Sequence, residues 1–151
     1  MAALVLLFGP AAPIVAGPLE DALTAWDRGD YTTALLRPLA AQGDAVRQYY
    51  LDIMYANGWG VQQDYTEAAR LYRLAANQGY ALAQNNLGVM YANGEGVPRD
   101  YVQAHMWLSL AVWRLPPEAN NAAKRRDLIA AKMTPVQIAE APRREREWKP
   151  K

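Results

Sequence analysis

The chain has no cysteine, one histidine and one phenylalanine in 151 residues. Without cysteine there is no disulfide, no thiolate metal site and no cysteine nucleophile. His105 by itself supplies no Ser/His/Asp arrangement, zinc cluster or histidine acid–base pair. Flanked by Met106 and Trp107, it reads as a residue on the side of a helix. No catalytic residue, metal or cofactor is therefore expected. Charge of one sign is also scarce. The formal net charge is +1, so no global field draws nucleic acid or an anionic membrane.

Long apolar runs are missing except at the start, where Ala2 to Phe8 is uninterrupted before Gly9 and Pro10. That is too short for a membrane span of ~20 residues. Followed by the small residues around Ala11 to Gly17, it resembles a secretory signal peptide with a break after Ala16 or Gly17. The usual Lys/Arg ahead of the run is absent. Residues 1–17 are thus expected to direct export to the periplasm or beyond, with the cytoplasm as the alternative.

What is present reads as globular, with 52% apolar and 21% charged residues, and the length suits one domain. Basic charge gathers late, with nine Lys/Arg against five Asp/Glu from Leu115 onward. Within it, Lys124-Arg125-Arg126 is expected to be a solvated helix face rather than a nucleic-acid contact.

The strongest signal is internal. Met54 to Ala68 recurs 36 positions later as Met90 to Ala104, with ten of 15 positions identical. A period of this size marks a stacked repeat. Aligning Gly43–Gln78 with Gly79–Arg114 gives 16 identities, and each unit reads as a helical hairpin. First helices are predicted over about 45–57 and 81–93, since Leu51, Met54 and Tyr55 share a face with the spacing of Leu87, Met90 and Tyr91. Gly58 and Gly94 suit left-handed caps, and Asp64 and Asp100 suit N-caps of the second helices. Ala68, Ala75, Ala104 and Ala111 thin those helices for close approach. Gly58-Trp59-Gly60 and Gly94-Glu95-Gly96 follow helices and lack a Lys-Ser/Thr ending, so they read as turns and not phosphate loops. Upstream, Asp30–Gly43 is a worn copy, and Pro18 is expected to open a helix running to Arg28. The expected organisation is 18–42 as a degenerate repeat, 43–78 and 79–114 as full units, and 115–151 as capping helices and tail.

On Leu87-Gly88, Tyr91, Gly94, Gly96-Val97, Asp100, Ala104, Trp107 and Ala111, the chain resembles the Sel-1-like repeat family, a branch of the tetratricopeptide-like α-solenoids. The resemblance implies an all-α fold: a short α-solenoid of antiparallel helical hairpins closed by a C-terminal capping helix pair. It also implies that Tyr55, Tyr65, Tyr91, Tyr101 and Trp107 are core, and that first helices line a concave side. Two departures stand out. Arg47 and Asp52 replace Ala83 and Gly88 at positions taken to face the preceding helix, so a looser, more polar N-terminal interface is expected. Pro142 interrupts the last helix, which is expected to kink or end near Ala141 and leave Trp148 weakly held.

The expected function is non-catalytic: an adaptor that docks a protein or peptide in its groove. Candidate partner-binding residues are Tyr49, Tyr50, Ile53, Asn57, Asn85, Asn86, Val89 and Asn93, where tyrosine and asparagine combine contact area with hydrogen bonding. Two alternatives are an envelope module that binds peptidoglycan or resembles a hydrolase, and a self-assembling structural protein with Trp148 or Tyr49 at a homotypic interface.

Overall fold

Two aspartates start the second helix of each hairpin. In the computed structural model, which describes residues 33–116 and 121–151, Asp64 accepts from the Thr66 and Glu67 amides, and Asp100 accepts from those of Val102 and Gln103. Each carboxylate satisfies donors that the helix itself leaves open and lies at the positive end of its dipole. The first helices stop where Gly58 and Gly94 turn left-handed and donate back to the Met54 and Met90 carbonyls.

These signals frame seven helices, with no strand among the described residues. α1 is Thr33–Ala41, α2 Ala45–Asn57, α3 Tyr65–Asn77, α4 Ala81–Asn93, α5 Tyr101–Val112, α6 Ala122–Ala130 and α7 Pro135–Glu147. Successive helices pack on one another from α1 to α6, and α7 returns to α5. The expected all-α solenoid with a closing helix pair is what forms. The expectations for residues 1–17 and for a helix over 18–28 lie outside the described residues.

The α2–α3 and α4–α5 hairpins are joined to the helix before them by the same chemistry. Gln48 donates to the Ala40 carbonyl at 3.2 Å, and Gln84 donates to the Ala76 carbonyl at 3.1 Å. Arg37 donates to the Tyr55 hydroxyl at 2.5 Å and Arg73 to that of Tyr91 at 2.7 Å. Each guanidinium also lies near its tyrosine ring, so charge, hydrogen bond and ring face act together. Between them, the alanine faces close completely, with Ala68, Ala75, Ala104 and Ala111 all inaccessible. Gly96 fixes the fit more tightly still. A Cβ there would fall 1.9 Å from the Tyr65 carbonyl oxygen, so the loop of one unit rests directly on the helix start of the other.

Four expectations need correction. Helix α7 passes through Pro142 to Glu147. Thr134 and Gln137 form a capping box at its start, and Pro135 opens it. Ala141 is fully buried against α5 and α6 residues, so packing outweighs the hydrogen bond a proline removes. Trp148 is correspondingly well held. Its ring meets Trp107 edge-on at 6.0 Å, and the Arg114 guanidinium lies 5.1 Å from it. Tyr65 is exposed rather than core, with its hydroxyl accepting from Gln63. Asp52 does not face the preceding helix. Its counterpart Gly88 abuts Leu108 and Ala104 of the following helix, and Asp52 likewise acts on Tyr72 of α3. Lastly, Arg125 is not simply solvated, as its bond to Asn85 shows.

Candidate functional site

In the α2–α3 hairpin the pair Asp52 and Tyr72 stands where α4–α5 has Gly88 and Leu108. Asp52 is completely inaccessible, and neither carboxyl oxygen reaches a partner in bonding geometry. Burial pushes the carboxyl up to about 10, and the Tyr72 hydroxyl and Ile53 amide pull it back only in part. At neutral pH Asp52 is therefore an uncharged acid. Burial also raises the Tyr72 hydroxyl, with the Asp52 charge acting in the same direction.

From Tyr72 a run of hydrogen bonds leads outward. Asn86 donates to the Tyr72 hydroxyl at 3.2 Å, Asn85 donates to Asn86 at 3.1 Å, and Arg125 donates to Asn85 at 2.9 Å. The run crosses α3, α4 and α6. Each bond restrains the two side chains it joins, so the run is held in place rather than free to reorient.

Two open hollows lie along α4 and meet at Val89 and Arg125, which line both. The hollow on the α3 side holds about 180 Å³ between Ala56, Tyr65, Tyr72, Asn86, Met90 and Glu95. The other, also about 180 Å³, lies between α4 and α6 and includes Ala92, Asn93, Tyr101, Leu128, Ile129 and Lys132.

The predicted site residues divide on this geometry. Asn86, Val89 and Asn93 line the hollows, and Asn85 lies just behind, holding Arg125. The four on α2 line neither hollow. Tyr49 packs into an aromatic cluster with Tyr50, Tyr72 and Tyr80 at 5.6, 6.1 and 5.1 Å, and burial pushes its hydroxyl up to about 12. Tyr50 is half-buried against the cluster of Leu36, Ala40, Leu51, Met54 and Leu71, and Ile53 against the main core. Asn57 is exposed and donates to the Ile53 carbonyl of its own helix. Tyr72, Arg125, Leu128 and Lys132 are among the contributors that sequence reading missed. Tyr72 carried a signal, since it breaks the repeat where its counterpart is Leu108.

His105 lies 3.5 Å from Ser109 on one helix. Ser109 is buried, and burial lowers the His105 pKa. Among the described residues no cluster of carboxylates or histidines could hold a metal, and no helix is long and apolar enough to cross a membrane.

The Sel1 repeat model matches residues 48–80 and again 81–112. The chain carries two Sel1 repeats. Solved structures agree with the assignment. The Sel1 fold here is similar to that of c5321, a protective antigen present in uropathogenic Escherichia coli strains displaying an SLR fold, at 31% identity and a TM-score of 0.74. It is also similar to a Sel1 repeat protein from Oxalobacter formigenes, at 26% identity and a TM-score of 0.63. The matches cover 82% and 74% of this chain but 26% and 49% of those proteins, so the Sel1 array here spans about a quarter and a half of their lengths. No curated protein matches the chain. Sel1 arrays are generally scaffolds for protein interaction.

Proposed function

We propose that this Sel1 array is a non-catalytic adaptor that docks a segment of a partner protein along α4, between α3 and α6. The observation that carries the reading is the pair of adjoining hollows that share Val89. They are bordered by amides and a guanidinium already fixed in hydrogen bonds. Prepaid ordering of this kind favours binding, because the side chains lose little further freedom when a partner arrives. The reading includes export, with residues 1–17 as the signal and the envelope as the place of work. Self-assembly predicts a concentration-dependent mass, and the adaptor reading predicts a monomer alone in solution.

The test is crosslinking pull-down from the envelope fraction of the native host, with wild type compared with Val89→Arg. The substitution places a charge where the two hollows meet, and circular dichroism checks that the helices persist. Prey lost with the variant supports the groove. Prey retained in full sinks it. For export, the mature N-terminus should follow Ala16 or Gly17 in the periplasmic fraction, and an intact Met1 there would refute it.

A further inference from the structure

We infer that the hollow between α4 and α6 recognises a carboxylate beside an apolar side chain, as carried by an acidic peptide segment of another protein. This rests on the adaptor reading and adds the chemistry of the partner.

The charge around the hollow is one-sided. Arg125 and Lys132 border it, and no carboxylate does. Glu95, the one acid on either hollow, lies on the α3 side and accepts from Asn93. Lys132 has no ion pair among the described residues. One guanidinium nitrogen of Arg125 is committed to Asn85, and that bond points the planar group while leaving its other N–H groups for a ligand. A fixed guanidinium presents paired donors at the spacing of a carboxylate's two oxygens. Asn85 is therefore a positioning residue for Arg125.

The apolar half of the requirement comes from the same walls. Leu128 is 59% exposed, and Val89, Ala92 and Ile129, all less exposed, line the same hollow. About 180 Å³ accommodates one aliphatic or aromatic side chain. An exposed leucine between two cations is poorly suited to water and well suited to an amphipathic segment. Nucleic acid fits less well, since two cations cannot follow a phosphate chain and the walls between them are apolar.

The experiment is selection of a displayed library of random ten-residue peptides on the full chain, followed by anisotropy titration of the best synthetic peptide. The selected pool should be enriched in Asp or Glu next to Leu, Ile or Phe. Arg125→Gln should weaken the winner at least tenfold, and raising salt should weaken it further. Lys132→Gln, at an exposed position, should weaken it severalfold without risk to folding. An acidic pool indifferent to both variants would overturn the proposal. A neutral or basic pool that Val89→Arg displaces would also overturn it, yet leave the groove reading standing. An empty pool would count against both. Preference for a random RNA oligonucleotide over any peptide would overturn the carboxylate chemistry as well.

Discussion

Replacing Asp52 with asparagine should stabilise this protein at neutral pH and remove part of its pH dependence. An unconstrained aspartate titrates near 3.8, whereas burial holds Asp52 up to about 10. Below the lower value both folded and unfolded chains carry the proton, and the folded state loses nothing. As pH rises through the window between the two values, only the unfolded chain releases its proton. Each pH unit there favours unfolding by about 1.4 kcal/mol. By pH 7, roughly three units into the window, the accumulated loss is about 4 kcal/mol. Asparagine keeps the shape and has no proton to release, but its buried amide costs about 1–3 kcal/mol if poorly bonded. The expected net gain at pH 7 is thus about 1–3 kcal/mol. Urea unfolding of both proteins at pH 5, 7 and 8.5 gives the answer, because other titrating groups cancel in the difference. The advantage of Asp52→Asn should grow by about 3 kcal/mol between pH 5 and pH 7. A difference that stays constant with pH, or a variant less stable at pH 7, would refute a neutral buried Asp52.

Three further substitutions test the packing. Gly96→Ala should destabilise by about 3 kcal/mol or more, since its Cβ would enter the Tyr65 carbonyl at a left-handed backbone position; a melting temperature within a degree of wild type would contradict that contact. Gly88→Ala should cost about 1–3 kcal/mol by urea unfolding, because its Cβ would lie 2.7 Å from the Leu108 side chain. An unchanged midpoint would mean that α4 and α5 are less close than described. Trp148→Ala should cost about 3 kcal/mol through lost contact with Trp107 and Arg114; a loss below about 0.5 kcal/mol would return the tail to the loosely held state that Pro142 suggested.

The helices of the two units were legible because their ends are written locally. Asp64, Asp100, Gly58 and Gly94 act within a few residues of themselves, so spacing alone places them. The two hollows were legible only in part. Asn86, Val89 and Asn93 could be assigned to an outward face, but the α2 tyrosines at corresponding positions turn inward because Tyr49 finds Tyr72 and Tyr80. Arg125 was opaque for a related reason. A basic triplet looks solvated until α6 folds against α4 and brings Asn85 within reach. Pro142 was misread because propensity is local, whereas the burial of Ala141 is tertiary. Asp52 sits in between. Its departure from glycine was visible, but its neighbour could be assigned only once the corresponding glycine was seen against Leu108.

The tail carries a consequence for how the molecule comes apart. In a stacked array, contacts normally link only adjacent units, so ends can fray while the middle persists. Here the amide of Lys151 donates to the Asn77 carbonyl at the end of α3, and Trp148 packs into the core shared by the two hairpins. The last residues thus clasp a helix that lies one hairpin away from α5. Opening that clasp uncovers both units at once, and melting either unit releases the clasp. Such an array behaves less like a zipper, undone tooth by tooth, than like a buckled belt.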